Sequence, residues 1–360
     1  MVKTKILIST RYSIFDLEGT SIRAKRIINV LKDHFNVYLI TSADNYDNTN
    51  TLNKENIFVI KPKKTRLWPL KIIPIILNNK FDIVICESDW LGFPVYWILS
   101  KIKKYKLVFE AHGILSEEAK DWGTNIIIVK MFKIIEKICI KNSNLVFVLS
   151  EEIGKKYKKM NDNIVLVPVF LENMNYDLKN TGKKQDTSER KIGIIGPFGT
   201  ARNEYYAPEF INNNLSKFDE HIRFVIIGKC GKKIRNQRIS YLGYIKSFEE
   251  YLKIINNLDA ILVIEKKKTS GPLNKILEPM SLGKPVFTTP NGVFGLDHAK
   301  NNFNIFINTE TELIKNLNKM IYDSKKLESI SANAKKTTKK YYSERSNKKR
   351  IICSLNRLFE

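Results

Sequence analysis

The sequence predicts an α/β protein with two parallel-sheet domains that face each other across a cleft. Short, nearly continuous apolar runs alternate with helical patterns along most of the chain, which is typical of parallel strands covered by helices on both faces. The alternation occurs twice, and a polar stretch separates the two halves. With 360 residues, 43% of them apolar, the chain is long enough for each half to bury its own core.

The first half, residues 1–173, is predicted to form the N-terminal domain. Its clearest helix is SIRAKRIINVLKDH (21–34), which lies between the first two strands. The predicted strands are KILIST (5–10), NVYLITS (36–42), FDIVICES (81–88), KLVFEAH (106–112), LVFVLS (145–150) and IVLVPV (164–169).

The second half begins after MNYDLKNTGKKQDTSER (174–190), which has almost no apolar periodicity and is predicted to be the linker. Residues 191–330 are expected to form the C-terminal domain, and the helices over 331–360 are expected to cross back to the first. The predicted strands are KIGIIG (191–196), RFVIIGK (223–229), AILVIEK (260–266) and PVFTTP (285–290).

The charge balance favours an anionic partner. Lys and Arg number 61 against 37 Asp and Glu, a formal net charge of +24. Nucleotide phosphates, acidic membranes and nucleic acids all fit this charge. An AT-rich coding bias produces the same excess of lysine, so charge alone selects none of them.

Several common sites are excluded by their missing motifs. The four cysteines and four histidines are scattered singly, so we expect no metal site of the Cys or His type. Neither G-x-G-x-x-G nor G-x-x-x-x-G-K-[ST] occurs, which disfavours a single-domain dinucleotide site and a P-loop.

The location is expected to be cytoplasmic, with peripheral association at the inner face of a membrane. The N-terminus MVKTKILIST enters a strand at once, and no segment approaches the roughly 20 apolar residues of a membrane span. Residues 61–80 and 125–140 mix lysines with apolar side chains, as interfacial helices do. Core helices with one solvated face have the same pattern.

A glycine-containing loop and a short helix follow the third strand of the second half. In TSGPLNKILEPMSLGKP (269–285) we expect Ser270 to cap a helix over about 272–282 that ends before Gly283. The N-terminus of such a helix attracts anions, so an anion such as a diphosphate could bind there. An ordinary helix connection beside a solvated lysine run explains the same residues.

Glu278 has two interpretations. It lies three residues after Lys275 on the same helix face, so the two side chains could simply pair. Its carboxylate could instead accept two hydrogen bonds from a ribose diol next to a diphosphate bound over Gly271.

Three other loops that follow strands contain ligand-binding residue types. Arg202, in GPFGTARN, could donate to phosphate oxygens, although a solvated arginine in a surface turn fits equally. Thr20 or Ser21 could cap the first helix while Gly19 lets a ligand approach the backbone. His112 lies at the carboxyl end of its predicted strand, where parallel sheets bind ligands.

Together these residues resemble the GT-B-fold glycosyltransferases, specifically the large family-4-type group of retaining enzymes that use nucleotide sugars. The resemblance spans nearly the whole chain, including RYSIFDLEGTSIRAKRIINVL, FEAHG and LVFVLSEEIGKKY. Its most specific part is GPLNKILEPMSLGKPVFTTPNGVFGL, which looks like the family's donor-binding block. The resemblance implies two Rossmann-like domains, with the acceptor on the N-terminal side and the donor on the C-terminal side.

The resemblance also implies roles for individual residues on the donor side. Glu278 corresponds to the second glutamate of the E-x7-E motif, which binds the ribose, whereas the first glutamate is replaced by Ser270. Arg202 stands near the family's diphosphate arginine, and Lys229 or Lys275 would replace the missing lysine. Contacts to the donor sugar would then come from the loop backbone, at Gly271, Leu273 and Asn274.

On the acceptor side, His112 matches the family's histidine near the sugar, and Gly19 with Thr20 matches its acceptor-side loop. Catalysis would thus involve His112 and Glu278. The family needs no bound metal, because positive protein groups stabilise the diphosphate. The implied partners are a nucleotide-sugar co-substrate, a glycan or lipid-linked acceptor and an anionic membrane surface, with no other cofactor and no nucleic acid.

Two alternative functions remain open from the sequence. A sugar-nucleotide epimerase shares the two-domain cleft and would act on its substrate without an acceptor. A basic nucleic-acid-binding protein fits the net charge, but its lysines are spread along the chain and are not interleaved with aromatic residues on one element.

Overall fold

The computed structural model describes residues 3–15, 19–43, 52–61, 67–172, 188–196, 198, 206–230, 234–268 and 271–360. The chain divides into two compact units. The first comprises Met1–Glu172 with Glu344–Glu360, and the second comprises Asn173–Ser343.

The first unit is a seven-stranded sheet with helices. Its strands are β1 (Lys5–Ser9), β2 (Asn36–Ser42), β3 (Ile57–Ile60), β4 (Ile83–Glu87), β5 (Lys106–Ala111), β6 (Leu145–Val148) and β7 (Ile164–Leu166). Its helices before the linker are α1 (Gly19–Leu31), α2 (Trp68–Asn78), α3 (Phe93–Lys103), α4 (Leu115–Asp121), α5 (Ile126–Lys141) and α6 (Glu151–Tyr157).

All paired strands of this sheet run parallel, in the order β3-β2-β1-β4-β5-β6-β7. Strand β4 is buried along its whole length, as expected for a strand covered on both faces. The order reverses between β1 and β4, and the carboxyl ends around such a point form the usual ligand site of a parallel sheet.

The second unit repeats this architecture with six strands. They are β8 (Arg190–Ile195), β9 (Ile222–Ile227), β10 (Ile239–Gly243), β11 (Ala260–Val263), β12 (Val286–Thr288) and β13 (Phe306–Ile307). Its helices are α7 (Tyr206–Asn213), α8 (Phe248–Asn256), α9 (Asn274–Leu282), α10 (Glu310–Met320) and α11 (Ser324–Tyr341). The strand order is β10-β9-β8-β11-β12-β13, and all pairs are parallel.

The predicted fold class, an α/β chain with two parallel sheets, is confirmed. Three strands were missing from the prediction, namely β3, β10 and β13. Strand β10 alternates buried and exposed residues as an edge strand does, and β13 is only two residues long. The first helix also differs in its bounds, since α1 runs from Gly19 to Leu31 where the pattern predicted 21–34.

The last helix, α12 (Glu344–Asn356), completes the core of the first unit. Ile351 and Leu355 are fully buried in the cluster that contains Ile27 of α1 and Ile6 of β1. The chain therefore joins the first unit at Glu344, whereas the prediction began the returning helices at 331; α11 belongs to the second unit. Most of the predicted linker, namely 174–187, lies outside the described residues.

We expect Leu355→Ala to lower the free energy of unfolding by about 2–5 kcal/mol, because it leaves a cavity between α12 and α1. Urea unfolding followed by circular dichroism measures the loss. The matched control is Phe359→Ala, since that ring is half exposed, and we expect it to change stability by no more than about 0.5 kcal/mol. Equal effects of the two variants would contradict the assignment of α12 to this core.

Candidate functional site

In the second unit, helix α9 begins at the carboxyl edge of the sheet. It starts at Asn274 and ends at Gly283, whose φ of 73° gives the left-handed ending that the sequence predicted. The start is two residues later than predicted. The N-cap is Leu273, which has no side-chain oxygen to cap the first turn, so the expected Ser270 cap is wrong. Ser270 itself lies outside the described residues.

Glu278 is buried on α9, one turn after the helix start. Its side chain is 4% exposed, and the Tyr251 hydroxyl of α8 donates a hydrogen bond of 3.0 Å to Oε2. Burial, together with the Glu278 charge, raises the pKa of Tyr251 well above its usual value, so this hydroxyl stays protonated and remains a donor. Tyr251 thereby fixes the orientation of the carboxylate.

Lys275 pairs with Glu265, and this finding corrects the expected alternative of a Lys275–Glu278 pair. Nζ of Lys275 lies 2.5 Å from Oε1 of Glu265, which follows strand β11 and is 3% exposed. The ion pair ties the first turn of α9 to the end of the strand. Because Glu265 neutralises it, Lys275 contributes less positive field at the helix N-terminus than an unpaired lysine would.

The loop after β12 contacts the loop before α9. Gly295 has a φ of 77°, and a Cβ there would lie 3.0 Å from Cδ of Pro272 and 3.1 Å from its backbone nitrogen. Only glycine fits this close approach without strain. The two glycine-containing loops of the proposed donor block, around Gly271 and Gly295, are therefore packed together.

Lys229 is exposed directly after β9, where Gly228 adopts a φ of 119°. Its Nζ lies 5.4 Å from the centre of the Tyr244 ring. Strand β9 is the neighbour of β8, so Lys229 and the loop after Gly196 occupy the same carboxyl edge. Arg202, predicted in that loop, lies outside the described residues.

In the first unit, His112 follows β5 at the carboxyl edge, as predicted. The side chain is 13% exposed, and Nε2 lies 3.6 Å from Oε1 of Glu87 at the end of β4. Glu87 is directly opposite Glu110 in the strand register. Two carboxylates and one imidazole thus converge at this edge of the sheet.

Arg23 of α1 neutralises one of the two carboxylates. Its guanidinium lies 2.6 Å from Glu110 Oε1 and donates to the carbonyls of Val167 and Pro168. Glu87 has no such cation: among the described residues, neither of its oxygens has a hydrogen-bond partner, and the same holds for Nε2 of His112 and Oε2 of Glu110.

This arrangement sets the protonation of the cluster. Burial and the neighbouring Glu110 raise the pKa of Glu87 well above its ordinary value, which favours the protonated form. Burial lowers the pKa of His112 to about 4, so the imidazole is neutral there. The cluster then holds the Arg23–Glu110 ion pair beside a neutral imidazole and a glutamate whose protonated form is favoured.

Within the part of the chain that the structure describes, Glu87, Glu110 and His112 form a group that could hold a cation. One ligand atom from each lies within 4.8 Å of the others. The search of the sequence missed this set because it considered only cysteine and histidine clusters. A cation there would have to displace the proton of Glu87 and tolerate the guanidinium of Arg23, which disfavours binding.

The acceptor-side residues Gly19 and Thr20 lie in the first turn of α1. The helix begins at Gly19, so Thr20 and Ser21 are inside it and neither is its N-cap, contrary to prediction. Gly19 is exposed and Thr20 is half-buried. Gly19, Thr20 and His112 belong to the first unit, and Glu278 belongs to the second.

Sequence reasoning overlooked Arg23, Glu87, Glu110, Tyr251 and Glu265. The acids at 87 and 110 had a signal, because each interrupts an otherwise apolar buried strand. Tyr251 had none, since it is one of several apolar residues on an amphipathic helix.

Comparisons with known proteins identify the fold. HepE from Anabaena in complex with UDP-glucose matches with a TM-score of 0.73 at 15% identity, covering 98% of this chain and 99% of HepE. Sucrose-phosphate synthase from Thermosynechococcus elongatus matches with a TM-score of 0.77 at 12% identity, covering 99% of both chains. The chain has the GT-B fold.

A third GT-B match is WaaG, a glycosyltransferase involved in lipopolysaccharide biosynthesis. Its TM-score is 0.65 at 11% identity, covering 95% of this chain and 98% of WaaG. No protein-family model matches the chain, and the search of curated proteins found no match. At these identities the similarity extends to the fold, and the family-4 type remains a prediction.

We expect Glu87→Gln to be more stable than the wild type at pH 8, with the difference shrinking as the pH falls towards 4.5. In the unfolded wild type Glu87 ionises above about pH 4.5. In the folded protein its raised pKa favours the bound proton. The folded state of the wild type therefore loses stability relative to the unfolded state as the pH rises. Thermal unfolding of both proteins from pH 4.5 to 8 measures this dependence.

The control is Glu151→Gln, an exposed acid of the same unit that pairs with Lys155. Its stability relative to the wild type should hardly vary with pH. A Glu87→Gln difference that is constant across the range, or that grows as the pH falls, would show that Glu87 is ionised in the folded protein.

Proposed function

We propose that the chain is a retaining glycosyltransferase that moves a sugar from a nucleoside diphosphate donor to a hydroxyl acceptor. The GT-B fold supports the proposal, and so does the similarity to HepE, which was solved with UDP-glucose. The family-4-type resemblance of residues 271–296 supports the retaining course. The nucleotide sugar is a co-substrate, and no further cofactor is required.

One observation carries the proposal, namely the position of Glu278 on α9. The helix begins with an uncapped turn beside the packed glycine loops, and a buried carboxylate follows four residues after Asn274. At 1.5 Å per residue, this is a step of about 6 Å along the helix axis. A diphosphate at the helix N-terminus and a ribose diol at Glu278 are about that far apart in a nucleotide.

The proposed reaction breaks the bond between the anomeric carbon and the donor phosphate oxygen. The acceptor oxygen forms its bond to the same face of that carbon, and the acceptor's proton passes to the leaving phosphate. Arg202, Lys229 and the N-terminus of α9 stabilise the charge that develops on the diphosphate. Lys229 is the better replacement for the family's missing lysine, because Lys275 is already paired with Glu265.

In this scheme His112 positions the donor sugar. A neutral imidazole offers one N–H donor and one acceptor nitrogen, which suits hydroxyl groups better than a charged ring would. Gly271, Leu273 and Asn274 provide the remaining sugar contacts, and Gly19 with Thr20 borders the acceptor.

We further propose that the reaction is metal-independent and that the acceptor is a lipid-linked or cell-surface glycan precursor. Positive protein groups around α9 take the place of a cation at the diphosphate. The function of WaaG in lipopolysaccharide biosynthesis is consistent with such an acceptor. The enzyme would act in the cytoplasm, at the inner face of the membrane.

The epimerase alternative differs in its product, since it converts the nucleotide sugar in the absence of an acceptor. Product analysis with and without acceptor separates the two enzymes. The nucleic-acid alternative is disfavoured because helices of the first unit expose leucine and isoleucine side chains beside their lysines, where a nucleic-acid site would offer stacking aromatics.

We expect one of the UDP-, GDP-, ADP- or dTDP-sugars to raise the melting temperature, since a ligand that binds only the folded state stabilises it. Glu278→Gln should weaken binding of that donor by about 10- to 100-fold, because it replaces a charged hydrogen-bond acceptor at the ribose. Isothermal titration calorimetry measures the donor affinities of the wild type and the variant. The proposed metal independence is tested by running the transfer assay with and without EDTA.

The matched control is Glu249→Gln, an exposed acid on α8 that pairs with Lys253, which should leave donor affinity unchanged. Full donor affinity in Glu278→Gln would remove Glu278 from the site. The absence of any effect from all four nucleotide classes would overturn the proposed function.

A further inference from the structure

Three helices of the first unit lie side by side on one face of the sheet. The crossovers that contain α2, α3 and α5 all lead in the same direction along the strand order, so right-handed connections put these helices on the same side. Helix α3 packs against both α2 and α5. Nζ of Lys103 on α3 also donates a 2.8 Å hydrogen bond to the carbonyl of Leu77 on α2. We call their outward side the α2–α3–α5 face.

This face exposes large apolar side chains on every helix. The most exposed are Ile127 of α5 at 66%, Ile102 of α3 at 65% and Leu70 of α2 at 61%. The other exposed members are Leu77 of α2, Ile98 of α3, and Ile126, Ile128, Met131 and Ile134 of α5. Single exposed apolar residues are ordinary, but a set spread over three adjacent helices indicates an interaction surface.

The exposed apolar residues follow the helical period on the solvent side. On α5 the exposed stripe includes Ile127, Met131 and Ile134, at spacings of four and three residues. The opposite side of the same helix buries Cys139 and Ile140. Helix α5 thus has two apolar sides, one for the core and one without a protein partner among the described residues.

Lysines surround the apolar side chains. Exposed examples are Lys71 on α2, Lys101 on α3, and Lys130, Lys133 and Lys137 on α5. No exposed acid lies on these helices: the single acidic residue within their bounds is Glu136, which is 5% exposed and accepts a hydrogen bond from the Ser116 backbone N–H. The face is therefore both apolar and positively charged.

We propose that the α2–α3–α5 face docks the protein on an anionic lipid bilayer. Its isoleucine and leucine side chains enter the boundary between headgroups and acyl chains, while the lysine stems extend to the lipid phosphates. None of the helices described in the structure has the length and apolar character to cross a bilayer, so this contact is interfacial.

Charge selects the bilayer over another copy of the chain. A dimer built on this face would bring two sets of lysines together without acids to pair them, and that repulsion disfavours it. An anionic headgroup layer supplies the opposite charge across the whole face. The inference deepens the proposed function, because a lipid-linked acceptor would be presented at that surface. It rests on the proposed function only for the identity of the acceptor.

The test is flotation of the purified full chain with vesicles of phosphatidylcholine alone or with 30% phosphatidylglycerol, without donor or acceptor. We expect binding to the anionic vesicles only, and weaker binding at higher salt. Lys133→Glu/Lys137→Glu should bind at least about 30-fold more weakly, because each lysine near the surface contributes about fivefold and charge reversal adds repulsion. Ile102→Glu should also reduce binding.

The matched controls are in the second unit. Lys315→Glu/Lys319→Glu makes the same charge change at the same spacing on α10, and Leu242→Glu changes an exposed apolar residue of β10. Both should bind like the wild type. Equal losses in the control pair, or no binding to anionic vesicles, would overturn the proposal, as would a dimer in size-exclusion chromatography that Ile102→Glu dissociates.

The vesicle assay contains no nucleotide sugar, so its failure is distinct from failure of the proposed function. A protein that binds donor but not vesicles retains the transferase proposal and loses the docking surface. A protein that binds vesicles but no donor keeps the surface and loses the transferase.

Discussion

Parallel strand pairing is the constraint on which both candidate sites depend. In each sheet every paired strand runs in the same direction, so all carboxyl ends meet at one edge. Residues distant in sequence are gathered there: Arg23, Glu87 and His112 at the first sheet, and Glu265 with the start of α9 at the second. A helix that begins at such an edge directs its positive end towards the ligand. The chemistry of the chain is thus a consequence of its strand order.

Burial of charged side chains is the second constraint on the two candidate sites, and each unit stabilises its buried acids differently. In the second unit Lys275 forms an ion pair with Glu265, and the Tyr251 hydroxyl donates a hydrogen bond to Glu278. In the first unit Arg23 pairs with Glu110, and burial together with Glu110 raises the pKa of the opposed Glu87 well above its ordinary value. Holding unpaired polar atoms in a buried site costs stability, and such costs are typical of functional sites.

The sequence predicted those features that depend on local pattern. The apolar runs of β1, β4, β5 and β11 identified buried parallel strands, and Gly283 marked the end of α9. The sequence did not predict the features that depend on tertiary contacts. The Lys275 side chain had an acid three residues away on its own helix, yet it pairs with Glu265 at the end of β11, because the strand end approaches the first turn more closely. Strand β10 had too few apolar residues to be recognised, since an edge strand is only half covered. The sequence also did not predict that α3 belongs to the exposed face, because an apolar pattern does not show which side chains the neighbouring elements leave uncovered.

The central claim is that a nucleotide sugar binds at the start of α9, and hydrogen–deuterium exchange with mass spectrometry tests it most directly. Addition of the donor should protect the backbone amides of peptides that cover 271–283, because a diphosphate there accepts hydrogen bonds from the first turn of the helix. Protection confined to peptides outside 271–283, at donor concentrations that saturate binding, would contradict the account.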